Sequence, residues 1–227
     1  MKTFHLNLFD GHPIIEDNGN TVLLDTGAPT TIHIADNIEF MGDTHEAVTD
    51  YMGLTTDSLS ELLGTRITTL LAADIIGKYK VIFDYCDKKI IFSKDEINFD
   101  GAKIPFKVVM GIPIIKLSTP SGDIKCFLDT GAKLSYLDQT FTEGLEVKGM
   151  EEDFYPGVGK FETQTYEIPT TIGEEQFTVK YGNLPMLLQM SLALAGADGV
   201  IGYDLFKQFK VMLDIEGGVM KFSLSTK

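Results

Sequence analysis

The chain repeats itself, and this limits what it can fold into more than any other feature. His12-Pro13-Ile14-Ile15 returns as Ile112-Pro113-Ile114-Ile115. Val22-Leu23-Leu24-Asp25-Thr26-Gly27-Ala28 returns as Cys126-Phe127-Leu128-Asp129-Thr130-Gly131-Ala132. Ile75-Ile76-Gly77 matches Val200-Ile201-Gly202. Val81-Ile82-Phe83-Asp84, followed by Ile90-Ile91-Phe92, matches Val211-Met212-Leu213-Asp214, followed by Val219-Met220-Lys221-Phe222. Four blocks in the same order twice, in stretches that are not low in complexity, imply two units built on one plan.

The blocks read as β structure. Asn18-Gly19 between Ile14-Ile15 and Val22-Leu23-Leu24 is a tight-hairpin signal. Pro120-Ser121-Gly122-Asp123 takes that place in the second unit, and Asp87-Lys88-Lys89 joins another strand pair. Asp84 and Asp214 end matching strands ahead of hairpins, which makes them turn residues. Helix signals are few: residues 57–64, stopped by Gly64, and a short segment at 204–209. The polar stretch 93–105 is the expected linker. The units divide as residues 1–97 and 98–227, and the fold class is mostly β in two related lobes.

Composition excludes some functions. The net charge of −14, from 33 acidic and 19 basic residues, repels nucleic acid, so no nucleic-acid partner is expected. No apolar run is long enough to span a membrane; residues 70–77 are broken by Asp74. Asn7, Asp10 and Gly11 interrupt any signal-peptide core. A cytoplasmic location is expected as the sequence is written, and a secreted or periplasmic one if a leader has been removed. Cys86 in a turn and Cys126 in an apolar strand form no disulfide pattern. The four histidines lack metal-site spacing, and no phosphate-binding glycine loop is present. No metal or cofactor is expected, and the histidines read as surface or turn residues.

The chemistry lies in the repeated Asp-Thr-Gly. An aspartate at the end of a buried strand, in a tight glycine turn, is held rigidly. Two such loops face to face bring Asp25 and Asp129 close enough to share a proton. Such a pair can take a proton from water and give one to a carbonyl oxygen. The two motifs, each after an apolar strand and each followed by an apolar-apolar-Gly element, resemble the pepsin and retropepsin aspartic proteases over nearly the whole chain. The resemblance implies a two-lobed acid-protease fold with a pseudo-twofold axis and an inter-lobe cleft, with Asp25 and Asp129 catalytic. It implies that Thr26 and Thr130 bond across to the opposite loop. Gly27 and Gly131 admit backbone that a Cβ would obstruct, and Gly77 and Gly202 let a strand pass beneath each active loop. Ala28 and Ala132 stand where pepsins carry a hydroxyl that lowers the carboxyl pKa. The optimum is therefore expected to be less acidic than pepsin's, not below about 3.

The second unit carries more. Tyr155-Pro156-Gly157-Val158-Gly159 resembles the flap, a glycine-rich hairpin that closes over substrate. Asp25 to Gly77 is 52 residues and Asp129 to Gly202 is 73, so the first unit lacks most of this region. Pepsins carry the flap on the first lobe, so this arrangement is reversed. The expected activity is aspartic endopeptidase on a peptide or protein substrate. Both half-sites lie in one chain, so a monomer suffices. The alternative is a catalytically silent module of the same fold that binds peptides or a partner.

Overall fold

The structure, a computed structural model, describes residues 1–155 and 159–225. The chain is mostly β, as expected. Among the described residues, Asn7–Phe9, His12–Asp17, Asn20–Asp25, Thr69–Ala72 and Ile32–His33 form a five-stranded sheet in that order. Lys107–Val109, Ile112–Thr119, Gly122–Leu128, Gly199–Ile201 and Ser135–Leu137 begin an eight-stranded sheet in the same order. In both, the third strand runs parallel to the fourth, and the fourth antiparallel to the fifth. The sequence repeat is thus a repeat of topology. The larger sheet then adds Glu175–Asn183, Gly159–Ile172 and Gly149–Tyr155.

A six-stranded sheet joins the units: Lys2–His5, Lys89–Ser93, Lys80–Asp84, Phe209–Asp214, Val219–Leu224 and Ala102–Pro105. Its central pair is antiparallel and centred on Ile82 opposite Met212, flanked by Val81 opposite Leu213 and Phe83 opposite Val211. These are equivalent residues of the two copies, so the pairing carries its own twofold relation. Ion pairs repeat it: Lys80 with Asp214 at 3.4 Å and Lys210 with Asp84 at 2.8 Å. Asp84 and Asp214 also accept from the Asp87 and Gly217 amides, the turn role their positions predict.

Local chemistry explains the elements. Asn18 and Gly19 both have positive φ, 50° and 80°, which a two-residue hairpin with strand-matching twist requires. The helix Thr56–Leu63 begins at Thr55, which forms a capping box with Ser58, and ends at Gly64 in the left-handed region. A hydrophobic cluster with residues from both units, including Leu24, Phe83, Leu128, Phe206 and Phe222, fills the interior. Smaller clusters around Leu23 and Ile32, and around Leu134 and Val200, draw their buried residues from single units.

Two expectations are corrected. The counterpart of Val200-Ile201-Gly202 is Leu70-Leu71-Ala72, not Ile75-Ile76-Gly77. Leu71 pairs with Leu24 as Ile201 pairs with Leu128. Ala73 donates to the Ala28 carbonyl as Tyr203 donates to that of Ala132, both at 3.0 Å. A short helix, Ala73–Ile76, therefore precedes Gly77 and matches Tyr203–Gln208. The linker is also shorter than 93–105, since Ser93 and residues 102–105 lie in strands of the joining sheet.

Candidate active site

Two strands with buried apolar residues deliver the aspartates. Asn20–Asp25 ends at Asp25 beside Ala72, and Gly122–Leu128 leads into Asp129, whose amide donates to the Ile201 carbonyl at 3.0 Å. Each carboxylate is then held by its own turn. Asp25 Oδ1 accepts from Gly27 (2.8 Å) and Ala28 (3.0 Å), and Asp129 Oδ1 accepts from Gly131 (2.8 Å) and Ala132 (3.1 Å).

The loops are locked to one another. Thr26 donates its amide to Thr130 Oγ1 at 3.0 Å and its hydroxyl to the Leu128 carbonyl at 2.7 Å. Thr130 donates its amide to Thr26 Oγ1 at 3.0 Å and its hydroxyl to the Leu24 carbonyl at 2.8 Å. Both threonines are fully buried. The lattice ties the end of each strand to the opposite loop. Gly27 and Gly131 fit by close approach rather than by unusual φ. A Cβ on Gly131 would lie 2.6 Å from Asp25 Cγ, and one on Gly27 would overlap the Asp129 carboxylate. Each glycine makes room for the opposite aspartate.

The two carboxyl groups meet within hydrogen-bonding reach of each other. Burial holds both above the ordinary aspartate range. At Asp129 the Asp25 charge adds to this, and the turn amides oppose it at both. Such a pair keeps one proton over a span of pH in which isolated aspartates are ionised. Ala28 and Ala132 bring only amides to the carboxylates.

Around the pair, Gly202 sits against the second loop, where a Cβ would lie 2.9 Å from that of Ala132 and overlap its carbonyl. Gly77 does not lie beneath the first loop. A Cβ there would meet the Ala73 carbonyl of its own turn at 2.7 Å and Ile215, because Ala72 fills the equivalent place. Thr31 and Ser135, which the sequence reading passed over, support the loops in matching ways. Thr31 Oγ1 accepts from the Ala72 amide at 3.0 Å, and Ser135 Oγ from the Gly202 amide at 3.1 Å. A hydroxyl six residues after each aspartate was the available signal. Asp74 anchors Thr31, its carboxylate accepting from the Thr31 amide at 3.1 Å and hydroxyl at 2.6 Å.

In the candidate flap, Tyr155 and Gly159 pair at the ends of the strands Gly149–Tyr155 and Gly159–Ile172; Pro156, Gly157 and Val158 lie outside the described residues. Burial, then the charges of Asp129 and Asp25, hold the Tyr155 phenol above its ordinary range, although the residue stays 44% exposed. Phe154 packs on the first unit's cluster with Ala28 and Tyr51, and Phe161 on the second unit's cluster with Ala132. The Tyr136 hydroxyl donates to the buried Asp153 carboxylate and ties the hairpin to the second unit. His12, His33 and His45 are buried and lie in strands, which overturns their reading as surface or turn residues. His33 bonds Thr69, and His45 bonds Tyr79.

Among the described residues, no three His, Cys, Asp or Glu side chains gather as metal ligands. Concavities of about 440 Å³ beside Asp36 and Asp50, and about 430 Å³ beside Phe161 and Met186, are lined by neither Asp25 nor Asp129. Carboxylate chemistry, not the size of a hollow, therefore marks the site.

No family model matches the chain, and no curated protein matches it. Among solved structures it is similar to a retropepsin-like aspartic protease from Rickettsia conorii. The TM-score is 0.40 and the identity 18%, over 54% of this chain and 91% of that one.

Proposed function

We propose that this chain is an aspartic-type endopeptidase whose active site is shared by its two units. The observation that carries the proposal is the meeting of Asp25 and Asp129, each held by two turn amides and joined by the reciprocal threonine lattice. With one proton between them, the ionised carboxylate takes a proton from a bound water. The water oxygen attacks the amide carbon as the protonated carboxyl gives its proton to the carbonyl oxygen. Collapse of the tetrahedral intermediate breaks the C–N bond, and the departing nitrogen takes up a proton. The substrate is a peptide or protein, covered by the hairpin that carries Tyr155, and one chain contains the whole site.

The test is peptide cleavage read by mass spectrometry on a diverse mixture between about pH 3 and pH 8. Native chain is compared with Asp25→Asn and Asp129→Asn. Cleavage that either substitution abolishes supports the shared pair. A folded native chain that cuts nothing at any pH points to a silent peptide-binding module.

A further inference from the structure

The two halves of the site differ in one buried contact. The turn between Asn7–Phe9 and His12–Asp17 belongs to the first unit but lies against the loop that carries Asp129. A Cβ on Gly11 would lie 3.3 Å from Lys133 Cβ and 3.5 Å from the Tyr203 ring. Asp10 pairs with Lys133 at 3.2 Å. His12, only 5% exposed, places Nδ1 2.8 Å from the Gly131 carbonyl oxygen. A carbonyl oxygen only accepts, so Nδ1 carries a proton.

The position of this carbonyl matters. The Gly131 C=O and the Ala132 N–H belong to one peptide group, and that N–H donates to Asp129 Oδ1 at 3.1 Å. His12 Nδ1–H, the peptide and the carboxylate thus form a continuous hydrogen-bonded chain. A donor on the carbonyl polarises the peptide and strengthens its N–H as a donor. The first loop has no counterpart, since Ile112 stands where His12 stands in the repeat and has no polar side-chain atom.

We propose that His12 is a positioning residue: through the Gly131–Ala132 peptide it favours charge on Asp129 and moves the shared proton toward Asp25. The proposal rests on the aspartic-peptidase reading and gives the two aspartates distinct roles. Burial pushes the imidazole below its ordinary range and Lys133 adds to this, while the bond to the Gly131 carbonyl and the charges of Asp153 and Asp10 oppose it; Asp25 also lies within reach of its charge.

The test uses the full chain labelled with 13C at the aspartate carboxyls and 15N at the imidazoles, with signals assigned from Asp25→Asn and Asp129→Asn. The native imidazole signal is expected to show the Nδ1–H form. In His12→Ile the Asp129 carboxyl is expected to titrate higher by roughly half a pH unit or more. His12→Asn, whose amide stands where Nδ1 stood, should recover at least half of that displacement. His12→Gln, whose amide reaches the Nε2 position, should not, and it decides the matter if His12→Ile loses its fold. On any peptide the native chain cuts, the Ile variant should lose about tenfold in kcat with KM changed less than twofold. An Nε2–H imidazole, an unmoved Asp129 titration in a folded variant, or equal behaviour of the Asn and Gln variants overturns the proposal. The carboxyl titrations need no turnover, so a chain that cleaves nothing fails the peptidase reading while they still decide the role of His12.

Discussion

Replacing Asp25 by Asn removes a carboxyl that the fold holds above its ordinary range, and this has a sign in stability as well as in activity. The raised pKa means that the folded state binds the proton more tightly than the unfolded chain does. The contribution is fully present below about pH 4 and is lost as pH rises through the raised value. Asp25→Asn is therefore expected to melt higher than the native chain at pH 7, with the gap closing near pH 3.5. Thermal scans at the two pH values check this; each kcal/mol corresponds to about 2–4 °C in a chain of this size. A gap that is equal at both, or reversed, contradicts the raised pair. Thr26→Val gives the opposite result. It leaves the Leu128 carbonyl and the Thr130 amide without partners in a fully buried lattice, at about 1–3 kcal/mol each. A melting drop of several degrees is expected, and Thr26→Ser should avoid most of it because it keeps the hydroxyl. The aspartates, threonines and glycines were legible because each occurs twice in one pattern. His12 was not, because its role is asymmetric and depends on a contact 119 residues away.

At the scale of elements, the hairpin that carries Tyr155 bridges both units. Phe154 rests on the first unit's cluster, and Asp153 is held by Tyr136 of the second. Phe154→Ala removes the first attachment and leaves the second. Amide exchange in Gly149–Tyr155 is expected to quicken about tenfold, the equivalent of about 1.4 kcal/mol, while exchange in Ser135–Leu137 stays unchanged. Unaltered exchange in the hairpin would mean that the Tyr136–Asp153 contact alone fixes it. The strands themselves were legible from alternation and turn chemistry, as at Asn18-Gly19. The helix Ala73–Ile76 was hidden by an attractive wrong match. Setting Gly77 against Gly202 gives an offset of 125 positions, whereas the following hairpins are offset by 130. Ala72 against Gly202 restores 130, but glycine, the residue that usually marks a close approach, is absent there. Conformational reasoning favoured the glycine, and pairing register chose the alanine.

The whole molecule depends on the joining sheet. Lys80–Asp84 and Phe209–Asp214 lie at its centre, and each would become a bare edge if the units were separated. Val81, Phe83, Val211 and Leu213 on those strands are fully buried, within a cluster that draws on both units. Exposed apolar strand edges drive aggregation rather than independent folding. The threonine lattice, too, has half its donors on each side. The sequence repeat suggests two pieces that each fold, whereas the packing predicts one cooperative body. Residues 1–97 and 98–227, expressed separately, are therefore expected to be insoluble or unfolded. Expressed together, they are expected to associate through the six-stranded sheet and copurify. Exchanging the partners of both ion pairs at once, with Lys80→Asp, Asp214→Lys, Lys210→Asp and Asp84→Lys, should weaken that association. The swap restores opposite charges across the sheet, but it puts lysines where Asp84 and Asp214 accept from their turn amides. Copurification from coexpressed fragments, followed by a melting curve of the complex, checks the expectation. A fragment that melts cooperatively by itself would show that the units stand alone and that the joining sheet is an interface between folded domains.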